Sequence, residues 1–240
     1  MPDAEPIHTN RARAESFGAV AADYDRYRPD YPAPLIDDLV ALHPANVLDV
    51  GCGTGKAARQ LTARGLDVLG VEVDPQMAAV ARSHGLSVVV SSFEEWDDAG
   101  RQFDLIISAQ AWHWVQPRVG AQKAARLLRP NGTLVVFWNH YLEHPNDLQA
   151  RFDAVYREHA PELLEAAQRD RERRGARPYF DDLKASGAFR RVQPREYPYQ
   201  RRYTAAEWVG NVQTHSDHLL LDPARRSAGS ALPSPPTRPL

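Results

Sequence analysis

Apolar positions in the central part of the chain come in short unbroken blocks. They are Asn46–Val50, Leu66–Val73, Leu86–Val90, Phe103–Ala109 and Thr133–Trp138. Blocks of this length without alternation are strands buried on both faces. Helical spacing fills the gaps. Ala57, Ala58 and Leu61 share a face over 56–64, and a second helix is expected from Asp74-Pro75 to about Ser83. Asp is a favoured N-cap and Pro a favoured first residue, so that start is well marked. A third helix is expected over 118–128, followed by a turn at Arg129-Pro-Asn-Gly132. Strands alternating with helices through short loops predict a parallel sheet with helices on both faces.

The flanks read differently. Residues 1–13 are polar and predict a flexible arm; Ala14–Arg26 and Leu35–Leu42 have helical spacing around Pro29, Pro32 and Pro34. After Trp138 the chain turns polar, and 140–175 is expected to be a helical insertion. A helix is expected at 177–187, a sixth strand at 189–203, and a capping box at Thr204-Ala-Ala-Glu207 opens a further helix. The expected organisation is one α/β domain over 14–215 and a disordered tail over 216–240, with four prolines in its last eight residues. No seventh strand is legible after Thr214. Such an end resembles a truncated or frame-shifted one, with reduced stability, dimerisation through an open sheet edge, or lost activity as the expected consequence.

Composition narrows the function. With 29 basic and 31 acidic residues in 240, the net charge of −2 gives no basic surface for nucleic acid. No run is long and apolar enough for a membrane span, and the first residues lack the apolar core of a signal peptide. A single cysteine, Cys52, suits a reducing cytoplasm. Its packing in a turn outweighs a nucleophile reading, and no metal-ligand pattern is present.

The sharpest chemical signal is Val47-Leu-Asp-Val-Gly-Cys-Gly-Thr-Gly55, lying between a strand and a helix. Ligands of open α/β sheets bind outside the carboxyl ends of the strands, where glycines permit close backbone approach. Asp49 closes the first strand, Glu72 closes the second, and the glycines read G-x-G-x-G. A nicotinamide dehydrogenase would show G-x-G-x-x-G and would have no use for Asp49.

This segment resembles motif I of the class I S-adenosylmethionine-dependent methyltransferases. Phe103-Asp-Leu-Ile106 and Leu127-Leu-Arg-Pro-Asn-Gly132 resemble the entrances to that family's fourth and fifth strands. Phe17-Gly18, Ala21-Ala-Asp-Tyr24-Asp-Arg-Tyr-Arg-Pro-Asp-Tyr-Pro32 and Ser108-Ala-Gln-Ala-Trp-His-Trp114 look like its small-molecule branch, which includes trans-aconitate-type enzymes. The resemblance implies a Rossmann-like doubly wound sheet, S-adenosylmethionine as cofactor and a small-molecule acceptor. Gly51, Gly53 and Gly55 would lie under the methionine part, Asp49 would meet its amino-acid end, Glu72 would hold the ribose hydroxyls, and Val73 would pack on adenine. The chain has Ser92 where relatives often place an acid for the adenine amine, leaving the Phe93 backbone or Glu94 to substitute. Tyr24 and Arg28 would come from the N-terminal helix to cover the cofactor, with a surface ion pair as the other reading of Arg28. His113 is the candidate general base, against a cofactor-lining turn made by Trp112-His-Trp114. Trp138 and His140 end the fifth strand and would line the acceptor pocket. The run Gln168–Arg174 reads as a solvated helix face. The rival readings are a cofactor-binding protein without turnover, a nicotinamide oxidoreductase and, lacking any N-P-P-Y tetrad, a nucleic-acid methyltransferase.

Overall fold

A computed structural model describes residues 7–9, 16–141, 146–172 and 178–222. Most of the expected arm at 1–13, the part of the expected 216–240 tail from 223 onward, and Arg173 and Arg174 of the charged run lie outside the described residues, while the start of that tail is corrected from disordered to helical at Ser216–Leu219. The chain divides into two compact units.

The first unit comprises Met1–Asp25, Pro29–Asn139 and Arg177–Tyr199. It opens with 3₁₀ turns at Ile7–Thr9 and Ser16–Val20, then helix α1 (Ala21–Tyr27), of which it holds the part up to Asp25, and helix α2 (Ala33–Val40). The helical pattern read over 14–26 is therefore split at Val20 into a tight turn and a helix. There follow β1 (Asn46–Val50), α3 (Lys56–Thr62), β2 (Asp67–Glu72), α4 (Pro75–Ser83), β3 (Ser87–Val90), β4 (Phe103–Ala109), α5 (Pro117–Leu127) and β5 (Leu128–Phe137). The strands are ordered β3-β2-β1-β4-β5, and every neighbouring pair is parallel. The order reverses between β1 and β4, which is the switch point where such sheets bind ligands. This is an α/β, Rossmann-like open sheet.

Burial explains why these blocks became strands. Val47, Leu48 and Val50 of β1 and Leu105, Ile106 and Ile107 of β4 are each at most 1% exposed. Leu48, Val50 and Ile106 pack on one face with Ala121, Ala124 and Leu127 of α5. Val47, Leu105 and Ile107 pack on the other with Ile36, Leu39, Ala58 and Leu61. Asp104 ties the strand starts together, its Oδ2 accepting from the Ala45 and Asn46 amides at 2.9 and 3.0 Å. The Arg129–Gly132 turn bulges out within β5. Phe103 pairs with Leu128, yet Leu105 pairs with Thr133.

The expected sixth strand is corrected. Residues 191–203 have no regular secondary structure and join no ladder. Pro194 and Pro198 cannot donate to one. The side chains bind elsewhere: Arg195 and Tyr197 both bond the Asp38 carboxylate, at 2.9 and 2.7 Å, and Arg190 bonds Asn131. The sheet among the described residues thus has five strands. Helix α8 (Pro178–Ala185), also in this unit, carries buried Leu183 into the core.

The second unit comprises Arg26–Arg28, His140–Ala176 and Gln200–Leu240. Its helices are α6 (Asn146–His159), α7 (Pro161–Glu172), α9 (Ala205–Gln213) and α10 (Ser216–Leu219). The Thr204 capping box is formed. Thr204 Oγ1 accepts from the Glu207 amide and Glu207 Oε2 accepts from the Thr204 amide. No described helix is long and apolar enough to cross a membrane.

Candidate active site at the carboxyl edge of the sheet

Three of the predicted glycines shape the loop after β1. Gly51 and Gly53 have φ of 67° and 56°, and the Gly51 amide donates to Val71 O at 2.8 Å, tying the loop to β2. A Cβ on Gly51 would lie 2.4 Å from the Ala111 Cβ, so the loop passes the β4 exit at backbone contact. Gly51→Ala combines a left-handed conformation with that overlap. It is expected to lower the melting temperature by roughly 5–10 °C, measured by calorimetry. Gly55, at φ 83°, starts α3.

The two acids come together around this loop. Glu72 is 7% exposed; its Oε2 accepts from the Gly53 amide at 2.7 Å and its Oε1 from the Asp74 amide at 3.0 Å. Each oxygen keeps a further lone pair for a hydroxyl donor. Asp49 is fully buried, and neither oxygen has a hydrogen-bond partner of ordinary geometry. Burial, then the Glu72 charge, pushes the Asp49 carboxyl up to about 7, the Ala58 amide giving only partial relief. Burial also raises Glu72. A buried carboxyl without a donor is costly. A ligand cation at this edge would complement it, and hydroxyl donors would complement Glu72. The ammonium and ribose of S-adenosylmethionine supply those groups, so the residues fit that cofactor.

The N-terminal segment closes over the same edge. The Asp74 carboxylate caps α4 through Oδ1, accepting from Gln76 and Met77 at 2.8 and 3.1 Å, while its Oδ2 accepts from the Gly18 amide at 2.9 Å. A Cβ at residue 18 would meet that oxygen at 2.5 Å, so only glycine docks here. Phe17 meets Tyr24 and Trp114 edge-on at 5.8 and 6.3 Å. The Gly18–Asp74 bond was not predicted; Asp74 was legible only as a helix cap.

Other predicted residues have structural partners. Val73 is half-buried. Phe93 is 4% exposed and packs on Trp112, with ring centroids 6.2 Å apart. Glu94 Oε1 accepts from the Gln116 amide at 2.7 Å, fixing the entry to α5. Ser92 is instead joined to Glu95, its hydroxyl donating to Oε2 at 2.9 Å. The S-x-x-E spacing at 92–95 was a readable signal for that pair. Arg28 lies in the second unit, where Nε and Nη2 donate to Thr214 Oγ1 and O at 2.9 and 3.0 Å. In the first unit Asp25 pairs with Arg59 and lies 2.9 Å from His84, and Asp30 pairs with Lys56.

His113 sits in a 3₁₀ turn, Trp112–Trp114, directly after β4. Its Nδ1 accepts from the Trp138 indole N–H at 3.0 Å, and Trp138 stacks on Tyr179 at 4.7 Å. An indole N–H only donates, so Nδ1 carries no proton and the proton of the neutral ring sits on Nε2. Cys52 is buried and its thiol is pushed well up by burial and then by the Asp49 and Glu72 charges, so no thiolate forms there.

Comparison with known proteins finds relatives of the central segment. Residues 48–136 match the family described as "Methyltransferase domain". An uncharacterised methyltransferase of Mycobacterium tuberculosis is 40% identical over 133 residues, 55% of this chain and 55% of that protein. The malonyl-[acyl-carrier protein] O-methyltransferase of Herminiimonas arsenicoxydans is 30% identical over 125 residues, 50% of this chain and 48% of that one. The chain thus spans about half the length of the curated relatives it matches. A solved structure from Anaeromyxobacter dehalogenans, assigned as a type II methyltransferase, aligns over 86% of this chain and 91% of its own with a TM-score of 0.55 at 21% identity, which shows the shared fold. The G-x-G-x-G loop and the two acids at the strand ends all lie within the matched segment, so residues 48–136 resemble a methyltransferase domain.

Proposed function

We propose that the protein transfers the methyl group of S-adenosylmethionine to a small-molecule acceptor. The observation that carries this is Asp49, a fully buried carboxyl with no ordinary hydrogen-bond partner, set beside Glu72 at the switch point. When bound, the cofactor supplies an activated methyl on a sulfonium, and the protein's task is alignment. Asp49 holds the ammonium of the methionine part, the Gly51–Gly55 backbone lies beneath that part, and Glu72 accepts from the ribose hydroxyls. Val73 and the backbone around Phe93 flank the adenine. Glu94 serves from the structural position it holds at the Gln116 amide. Phe17, Tyr24 and Trp114 cover the edge and exclude water, the Gly18–Asp74 bond fixing their position. Arg28 supports its own unit through Thr214 instead of gripping the cofactor.

His113 takes a positioning role in this reading. A general base needs a bare nitrogen, and the Trp138 bond occupies the only one on the neutral ring. Trp138→Phe releases Nδ1. It is expected to change the pH profile of turnover while leaving cofactor affinity within about threefold, a shift of well under 1 kcal/mol. His113→Ala, in turn, is expected to lower turnover less than the hundredfold typical of losing a base.

A malonyl-carrier methyltransferase among the relatives supports an oxygen acceptor, with a carboxylic acid or lipophilic metabolite as the class to screen first. Near-neutral charge argues against nucleic acid, and Cys52 alone in the chain fits a reducing cytoplasm. The edge position of β5 among the described residues supports a homodimer as part of this reading, expected as concentration-dependent sedimentation. Formation of S-adenosylhomocysteine in the presence of an acceptor panel tests the proposal. Tight cofactor binding with no product from any acceptor would favour the rival reading of a binding protein without turnover.

A further inference from the structure

The second unit contains a polar cluster that methyl-donor binding does not use. Asn211 is fully buried on α9, its Nδ2 donating to Tyr141 Oη at 2.8 Å, yet its Oδ1 is buried without a partner. His215 Nε2 is also buried without a partner. The two residues are neighbours, because the Tyr141 ring that binds Asn211 also lies nearly parallel to the His215 ring, 6.0 Å and 22° away. The rest of the cluster is fixed. Asp217 Oδ1 lies 2.8 Å from His218 Nδ1, and His218 Nε2 lies 3.0 Å from Tyr156 Oη. The carboxylate therefore holds the proton of His218 on Nδ1, and the bare Nε2 accepts from the tyrosine hydroxyl. His218 meets His215 edge-on at 5.8 Å, which locks the ring carrying the unpartnered nitrogen.

Burial, then the Arg28 charge, pushes His215 down to about 3, so its ring is neutral. Burial opposes ionisation of Asp217, but its bond to His218 holds the carboxyl below the usual range. The site thus faces one positive and one negative group and favours neither a cationic nor an anionic ligand. Aromatic walls complete it: Tyr141 and Trp208 meet edge-on at 5.4 Å, and Phe152 lies 5.8 Å from Trp208. Tyr141, which joins the two residues, is itself 41% exposed.

We propose that this cluster binds a neutral hydroxyaromatic molecule whose single hydroxyl donates to Asn211 Oδ1 and accepts from His215 Nε2–H. A hydroxyl can donate to one orphaned atom and accept from the other, and the attached ring matches the aromatic surroundings. Two buried polar atoms left unpaired weaken the fold, and a ligand hydroxyl bonded to them relieves that cost. The inference is independent of methyl transfer and is tested by binding alone.

The experiment titrates the full chain with phenol and, as the matched probe lacking the donor, anisole, following the ¹⁵N resonances of the histidine rings. Phenol is expected to move the His215 signals, with anisole binding about tenfold more weakly. His215→Phe keeps a ring but removes the orphaned nitrogen. It is expected to raise the melting temperature while weakening phenol at least about tenfold. Asn211→Leu tests the same site from the other partner and is expected to give the same loss. Equal binding of phenol and anisole, no shift with either, or full phenol affinity in both variants would overturn the proposal and leave an ordered water as the occupant.

Discussion

Asp49→Asn is expected to make the ligand-free protein more stable at pH 8, by roughly 2–4 kcal/mol. The substitution keeps the shape of the side chain and removes a carboxyl that has no ordinary partner in the fold. The sign follows from linkage. The unfolded Asp49 ionises near 3.8 and the folded one near 7, so between these values the unfolded chain releases a proton that the folded chain keeps. Below pH 3.8 both forms are protonated and the carboxyl costs nothing extra. Its contribution to stability is lost as pH rises from about 4 to about 7, and stays lost above. Wild type and variant are therefore expected to converge near pH 4 and to separate steadily up to pH 7, measured by urea unfolding across that range. Parallel curves would contradict an elevated Asp49. Function runs the other way. A bound ammonium favours the ionised form, so cofactor binding near pH 7 is expected to expel about half a proton, because a group at its own pKa is half ionised. Calorimetry in two buffers of different ionisation enthalpy reads that release, and Asp49→Asn abolishes it.

Glu72→Ala is expected to weaken cofactor binding by about 100-fold or more. Two hydroxyl-to-carboxylate bonds are at stake, each worth roughly 1.5–3 kcal/mol, and each 1.4 kcal/mol is about tenfold. The variant also leaves the Gly53 and Asp74 amides without their acceptor, which loosens the loop under the methionine part. Glu72→Gln separates these effects. Its amide oxygen still accepts from one backbone donor, so the loop keeps part of its support while the charge is gone. An affinity loss of at least about tenfold in Glu72→Gln would assign the effect to the carboxylate itself. Unchanged affinity in both variants would remove Glu72 from the site.

The parts legible in the sequence were those fixed by local rules. Blocks such as Val47–Val50 and Leu105–Ile107 had to be buried strands, and Asp74-Pro75 and Thr204–Glu207 had to open helices. The glycine loop and its two acids could be placed together because strand ends of a parallel sheet meet at one edge. What was misread depended on distant partners. Residues 189–203 have the apolar spacing of a strand, but Asp38, far off in sequence, takes the side chains of Arg195 and Tyr197, and two prolines deny the ladder its donors. The bonds of Arg28 to Thr214 were illegible for the same reason, the two lying 186 residues apart in the chain. His113 was a reasonable base by position, and only the bond from Trp138 reveals which nitrogen bears the proton. The Asn211–His215 cluster carries no sequence signature, since its members gain meaning only from Tyr141 lying between them.

The carboxyl edge of β1 and β2 is proposed as the cofactor site. The most direct test is a calorimetric titration of the wild-type protein with S-adenosylhomocysteine, which presents the same ammonium and ribose. The account predicts binding at one site per chain, with proton release that fades above pH 8 as Asp49 becomes ionised beforehand. A folded protein that gives no heat at any pH, or that binds without any proton release near pH 7, would contradict it.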